Sequence, residues 1–89
     1  MEVIKIRIAE KNSDLVEHDI EKLIKEFGNS GSIKNISLYR NAVVNNDLRV
    51  QLHWESAKVK PQGSDTGLCL VHLLKAFGLI SYSVWVEEN

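Results

Sequence analysis

The sequence has little of what stabilises or targets many small proteins: one cysteine, one proline and no long apolar run in 89 residues. A single cysteine excludes an internal disulfide. No apolar run reaches the ~20 residues of a membrane span. The N-terminus, MEVIKIRIAE, alternates charged and apolar residues and lacks the apolar core of a signal peptide. We therefore expect a cytoplasmic protein that has no membrane partner.

An excess of charge of either sign is also missing, since the formal net charge is −1. This balance predicts no nucleic-acid partner. The composition, 44% hydrophobic and 26% charged, is typical of a soluble domain, and we interpret residues 1–89 as one domain. A chain of this length buries only about 60–65% of its unfolded surface, so it gains stability from a second subunit.

Hydrophobic periodicity predicts four strands and two helices in the order β-α-β-β-α-β. The predicted strands are 3–9, 33–44, 48–55 and 80–86, with a hairpin turn at 45–47. A first helix follows the cap signal at 12–14 and ends at Gly28, and a second follows Ser64 and ends at Gly78. Its predicted inward positions are Thr66, Leu70, Leu73, Leu74 and Phe77, with Leu68 and Val71 outside and Cys69 as a small buried hydrophobe.

This order of elements predicts an α+β, ferredoxin-like fold, with a four-stranded antiparallel sheet and both helices on one face. Right-handed crossovers place the first and third strands in the centre. The apolar sets facing the helices are Ile4/Ile6/Ile8, Leu48/Val50/Leu52/Trp54 and Tyr82/Val84/Val86. The other face then carries Lys5, Arg7, Ser37, Tyr39, Arg49, Gln51, His53, Ser83 and Trp85.

We predict that this uncovered face binds a small anionic or aromatic molecule inside a homodimer. Arginine pairs readily with carboxylates, and histidine titrates near neutral pH. His53 is the candidate catalytic base if there is catalysis. The predicted ligand-binding residues are Arg7, Arg49, Gln51, Tyr39 and Trp85. No metal and no cofactor are predicted.

In the simplest interpretation the same face is merely solvated, and two others also remain open. In the first, it is only a subunit interface of a non-catalytic assembly or regulatory module. In the second, it binds single-stranded RNA, which requires aromatic residues on the central strands. The central strands carry cationic and polar side chains instead, and this disfavours RNA.

The stretch GSDTG at 63–67 contains the Asp-Thr-Gly tripeptide of aspartic proteases and resembles a phosphate-binding loop. A protease aspartate follows an apolar strand and shares a proton with a second carboxylate, whereas here a polar loop precedes Asp65. A phosphate loop places a lysine after its glycines, and none follows here. We interpret the stretch as a helix N-terminus with Ser64 as the cap. Cys69 and His72 would supply only two of the four ligands that zinc requires, so they do not lead us to predict a zinc site.

Three segments resemble the dimeric α/β-barrel superfamily, most nearly the small domains grouped with antibiotic-biosynthesis monooxygenases. They are LRVQLHWES (48–56), GSDTGLCLVHLLKAFG (63–78) and SYSVWVEE (81–88). The resemblance implies pairing through the sheets and a small organic molecule held between sheet and helices. Some members of that group oxidise aromatic substrates without a cofactor. Here AKVKPQGSD (57–65) stands where the group has histidine-containing segments, so we carry over the fold and the dimer, and cofactor-independent monooxygenase activity stays a hypothesis.

Overall fold

A computed structural model describes residues 1–8, 13–28, 33–44, 46–54 and 63–88, and the side chains at 13 and 14 lie outside this description. The element order is the predicted one. The four strands form one antiparallel sheet in the order β2-β3-β1-β4, so the first and third strands are central as predicted. The elements are β1 (Glu2–Ile8), α1 (Ser13–Phe27), β2 (Ile33–Arg40), β3 (Asp47–Trp54), α2 (Asp65–Leu74) and β4 (Gly78–Val84).

Both helices cover one face of this ferredoxin-like sheet. The core combines alternate residues of the two central strands with one apolar stripe from each helix. Their fully or nearly fully buried members are Ile4, Ile6 and Ile8 of β1, Leu48, Val50 and Leu52 of β3, Ile20 of α1, and Leu70 and Leu74 of α2. The prediction that β3 turns its leucines toward the helices is confirmed.

The second strand is shorter than predicted, because a side chain ends it. β2 stops at Arg40 and not at Val44. The side-chain oxygen of Asn41 accepts hydrogen bonds from the backbone N–H groups of Val43 and Val44, at 2.8 and 2.9 Å. Such a turn offers the backbone an alternative to the strand ladder. The hairpin connection therefore begins at residue 41, and the predicted turn residue Asn45 lies outside the described residues.

Helix α2 ends earlier than predicted, and Gly78 has a different role. The helix stops at Leu74, a turn covers 75–77, and Gly78 is the first residue of β4. A Cβ atom at Gly78 would lie 2.2 Å from the carbonyl oxygen of Arg7, so glycine permits the close approach of β4 to β1. β4 also ends earlier than predicted, at Val84, and the prediction that Val86 faces the core is wrong because Val86 is exposed.

The inward face of α2 also differs from the prediction. Gly67, Leu70 and Leu74 are its buried residues, and Val71 packs against the core. Leu73 is 40% exposed and Cys69 is exposed, so the predictions that both are buried are wrong. The sequence pattern is ambiguous because α2 has apolar residues around its whole circumference.

Within the described ranges, neither helix is long and apolar enough to cross a membrane.

Leu52 provides a test of this orientation. It is fully buried on the helix-covered face, so Leu52→Ala is expected to lower the free energy of unfolding by about 2–5 kcal/mol. Leu15→Ala, at a position 66% exposed on α1, is the matched control and is expected to change it by about 0.5 kcal/mol or less. Urea denaturation measures both, and equal effects would contradict the assignment of faces.

Candidate functional site

The uncovered face of the sheet consists of cross-strand rows that the strand register defines. One row runs Tyr39–Arg49–Lys5–Ser81 and the next runs Ser37–Gln51–Val3–Ser83. A third, at one end, pairs Asp47, Arg7 and Leu79. This arrangement brings residues from all four strands onto one surface.

A concave depression of about 780 Å³ lies over this face. Four of the six predicted site residues line it, and its lining also includes residues not predicted from the sequence. The predicted residues that line it are Arg7, Tyr39, Arg49 and Gln51, and the additional ones include Lys5, Arg40, Asn41, Asp47, Leu79 and Ser81.

Arg7 is already paired inside the protein. Its guanidinium donates to both carboxylate oxygens of Asp47, at 2.9 and 3.1 Å. The hydrogen bond and the charge of Arg7 hold the pKa of the Asp47 carboxyl below its usual value of 3.8. Arg7 therefore lines the depression with its charge already paired. A ligand anion would have to compete with the Asp47 carboxylate to bind Arg7.

Lys5 and Arg49 form the unusual pair of this surface. They are direct cross-strand partners on the two central strands, and both are exposed. Like charges directly opposite one another destabilise a sheet. In the described part of the chain neither forms an ion pair with a carboxylate. Two cations in the floor of a concave surface define an anion-attracting position.

His53 and Trp85 do not line the depression. His53 lies two residues beyond Gln51, opposite Asn35 of β2, and is partly buried. Trp85 follows β4, and its indole N–H donates to the Ser83 hydroxyl at 2.9 Å. Main-chain hydrogen bonds of 2.7 Å in each direction join Met1 and Trp85. The structure thus brings four of the six predicted residues together and leaves these two at the far end of the sheet.

Large apolar side chains are exposed near both ends of the sheet. Leu79 is 74% exposed in the row of Arg7, and Val43 is 88% exposed in the hairpin connection at the same end. Trp85 is 59% exposed at the opposite end. Of these three residues, only Leu79 lines the depression.

A second polar cluster lies on the opposite side of the sheet, and it was not predicted from the sequence. Glu2 faces the helices and is fully buried. Its carboxylate accepts hydrogen bonds from the Trp54 indole at 2.6 Å, from the Ser64 backbone N–H at 2.9 Å, and from the Ser64 and Tyr82 hydroxyls. All of these groups are donors, so the buried charge is compensated.

This carboxylate completes the cap of α2. In a capping box, a glutamate at the third helical position accepts from the N–H of the capping serine while the serine side chain accepts from the third N–H. Ser64 accepts from Gly67 N–H at 2.9 Å, as that motif requires. Gly67 has no carboxylate, and Glu2 of β1 supplies it instead.

Two glycines make room for this arrangement. A Cβ atom at Gly67 would lie 2.1 Å from a carboxylate oxygen of Glu2, and one at Gly63 would lie 1.8 Å from the Tyr82 hydroxyl. Gly63 also has a φ of +91°, which favours glycine. The stretch GSDTG is therefore a structural cap, and Asp65 is the first residue of α2.

Burial and hydrogen bonding act in opposite directions on Glu2. Desolvation raises the pKa of its carboxyl. The hydrogen bonds from Ser64, Tyr82 and Trp54 together lower this pKa by more than desolvation raises it, so the net result is a pKa below the usual 4.5. Burial and the neighbouring carboxylate raise the pKa of Tyr82, which stays a protonated donor.

Two signals in the sequence point to this cluster. Glu2 shares the parity of Ile4, Ile6 and Ile8, and the alternation therefore places it on the helix-covered face. The second signal is the glycine three residues after Ser64.

Across the described ranges, no group of three or more His, Cys, Asp or Glu side chains could hold a metal ion.

Comparison with known proteins supports the fold alone. No family model matches this chain, and no curated protein matches it either. Among solved structures, it is similar to the structure of Rv0793 from Mycobacterium tuberculosis, with a TM-score of 0.60 over 98% of this chain and 95% of that one. At 13% identity, this similarity shows a shared α+β architecture and not a shared activity.

Because the Glu2 carboxylate is buried and hydrogen-bonded, we expect the free energy of unfolding to decrease in acid. Because the pKa of Glu2 is lower in the folded protein than in the unfolded chain, its contribution is complete above pH 4.5 and declines as pH falls below that value. Glu2→Gln turns an amide donor toward other donors and is expected to cost about 1.5–3 kcal/mol at pH 7. Urea denaturation at several pH values is expected to show this difference shrinking in acid. A difference that is constant with pH would contradict the prediction.

Gly67 is expected to be an exception to the rule that alanine stabilises a helix more than glycine does. Alanine normally stabilises a helix interior by about 1 kcal/mol relative to glycine, but Gly67→Ala is expected to destabilise this protein because its methyl group would displace the Glu2 carboxylate. In a Glu2→Ala background the same substitution is expected to be neutral or stabilising. Thermal unfolding of the four proteins in this double-mutant cycle measures the coupling, and additive effects would contradict it.

Proposed function

We propose that this protein forms a homodimer through the uncovered sheet face and binds a small organic anion in the depression between the two sheets. The observation that carries the proposal is the direct opposition of Lys5 and Arg49 in the floor of the depression. This pair lowers the stability of the sheet when it is empty, and an anion would convert the repulsion into attraction.

The shape of the surface supports a ligand with an apolar part. Tyr39 stands beside Arg49 in the same row and is 50% exposed. An aromatic wall next to a cation suits a flat molecule that carries a carboxylate. Gln51, in the neighbouring row, adds an amide that can donate and accept hydrogen bonds.

The dimer is supported by the apolar residues around the depression. Leu79 and Val43 at one end and Trp85 at the other are among the most exposed large apolar residues of the described chain. A second sheet placed over them would bury these side chains and enclose the polar floor, as the resemblance to dimeric α/β barrels implies. A small domain also gains a larger core by pairing.

The proposal is one of binding, and the catalytic role of His53 stays a prediction. His53 does not line the depression, so a base at that position would act only on a ligand that extends along β3. Monooxygenase-like chemistry requires such a ligand. The anion site does not depend on it.

A second candidate function is an assembly module in which the same face is only a subunit interface. The exposure of Leu79 and Val43 favours it, because these residues would be covered whether or not a ligand is bound. The two functions differ in what Lys5 and Arg49 do. A pure interface has no use for two opposed cations.

Two measurements test the proposal. Native mass spectrometry of the freshly purified protein reports the number of subunits and any small molecule that purifies with it. Isothermal titration with benzoate, a small aromatic carboxylate, reports binding. The double substitution Lys5→Gln/Arg49→Gln is expected to weaken benzoate binding by about tenfold or more, the effect of losing roughly 1.5–3 kcal/mol of charged hydrogen bonding.

The same substitutions are expected to stabilise the empty protein. Removing one of two opposed like charges relieves roughly 0.2–1 kcal/mol, so Arg49→Gln should raise the midpoint of thermal unfolding while it lowers ligand affinity. Lys22→Gln, on the exposed surface of α1, is the matched control and should do neither. A dimer that binds no carboxylate would support the assembly module, and a monomer without ligand would contradict both functions.

A further inference from the structure

Among the described residues that line the depression, the cationic side chains differ in whether the protein itself balances their charge. Arg7 donates to both carboxylate oxygens of Asp47, and Arg40 donates to a carboxylate of α1. Lys5 and Arg49 are exposed and have no carboxylate partner in the described part of the chain. The depression therefore presents two positive charges that await a partner from outside.

These two cations stand side by side on the central strands. Lys5 of β1 and Arg49 of β3 are direct cross-strand partners, and side chains at such positions have Cβ atoms about 4.5–5.5 Å apart. Both lie on the uncovered face, because alternation turns their neighbours Ile4 and Val50 toward the helices. A single acidic group above the Lys5–Arg49 pair can therefore contact both cations at once.

We propose that the small organic anion of the proposed function, on which this inference rests, is a phosphate monoester. Such an ester places about 1.5–2 negative charges on one group at pH 7, which matches the two unbalanced cations. A carboxylate, a sulfate ester or a phosphodiester carries one charge and leaves one cation unbalanced. The planar guanidinium of Arg49 suits two phosphate oxygens, and Lys5 adds a point charge.

The ends of the same row suit the other parts of such a ligand. The row runs Tyr39–Arg49–Lys5–Ser81, with about 4.8 Å between neighbouring strands. Ser81 is exposed beside Lys5, and its hydroxyl can donate to a phosphate oxygen. Tyr39 is 50% exposed beside Arg49 and offers its ring to an aromatic group on the ester oxygen. An aryl phosphate that lies along the row meets a hydroxyl at one end, cations at the centre and an aromatic ring at the other end.

Asp47 limits how much positive charge the depression presents. It lies two residues before Arg49 on the same face of β3, where an unpaired carboxylate would repel a phosphate bound at the Lys5–Arg49 pair. Both oxygens of this carboxylate instead accept hydrogen bonds from the Arg7 guanidinium, at 2.9 and 3.1 Å. Asp47 is therefore a specificity-determining residue, because it keeps Arg7 occupied and leaves two cations for the ligand.

Phenyl phosphate and phenyl sulfate test the charge match, because they are similar in shape and differ by one negative charge at about pH 8. Isothermal titration at about 0.15 M salt is expected to show roughly tenfold tighter binding of phenyl phosphate. Inorganic phosphate should bind more weakly than phenyl phosphate, because it lacks a ring to place against Tyr39. Equal affinity for inorganic and phenyl phosphate would overturn the monoester and indicate a site for free phosphate.

Single substitutions test the two cations. Lys5→Gln and Arg49→Gln are each expected to weaken phenyl phosphate binding by about tenfold or more and to bring its affinity close to that of phenyl sulfate. Lys22→Gln removes an equal charge from the exposed surface of α1, is the matched control and should change neither affinity. A preference for phosphate that survives both sheet substitutions would overturn the proposal.

Asp47→Asn tests the role of the internal carboxylate. Because it leaves Arg7 available to the ligand, it is expected to tighten phenyl phosphate binding by about threefold or more. Asp19→Asn, on the exposed surface of α1, removes an equal charge as its control and should leave the affinity unchanged. Weaker binding by Asp47→Asn than by the unmodified protein would contradict the assigned role of Asp47.

The same titrations separate this proposal from the proposed function. Equal affinity for phenyl phosphate, phenyl sulfate and benzoate, weakened in each case by Arg49→Gln, would leave the anion site in place and overturn the phosphate monoester. Absence of binding by all three compounds would overturn both. Tight binding of phenyl phosphate alone, lost in Lys5→Gln and in Arg49→Gln, would support both.

Discussion

The structure depends on one buried carboxylate. Glu2 accepts hydrogen bonds from β3 through Trp54, from β4 through Tyr82 and from the start of α2 through Ser64. It therefore joins three strands to a helix N-terminus at a single point. An unpaired charge at this depth would cost several kcal/mol, and the four donor groups, together with the positive end of the helix dipole, make the position favourable. The two glycines of GSDTG leave the space that a Cβ atom would fill, at Gly67 for the Glu2 carboxylate and at Gly63 for the Tyr82 hydroxyl.

The position of this cap has consequences for both surfaces of the molecule. By holding the first turn of α2 against β1 and β4, it sets the rotation of the helix about its axis, so that Gly67, Leu70 and Leu74 turn inward and Leu68 and Leu73 turn outward. The polar cluster occupies the helix-covered side of the sheet. On the opposite side, Arg7 is paired with Asp47, and Lys5 and Arg49 form no ion pair with a carboxylate of the described residues. The proposed ligand site and the Glu2 cluster thus lie on opposite sides of one sheet.

Most of the architecture could be predicted from local patterns. Strict alternation in β1 and β3 identifies the strands and their faces, because a one-residue slip would bury Arg49 and expose Leu48. The errors are confined to positions where a local pattern is ambiguous. An Asn41 side chain ended β2 early, and Gly78 opened β4 in place of ending a helix. In α2, apolar residues on all sides left the inward face undetermined, and Leu73 and Cys69 were assigned wrongly.

The sequence by itself determined the order of elements, the two faces of the sheet and four residues of the depression, because period-two alternation assigns each strand residue to a face without reference to its neighbours. Only the tertiary structure decided which residues meet across strands. The opposition of Lys5 and Arg49, the pairing of Arg7 with Asp47, and the contacts of Glu2 with Trp54, Ser64 and Tyr82 each join a residue of β1 to one at least 40 positions further along the chain. Strand register and helix rotation place them together, and both arise from packing of the whole chain.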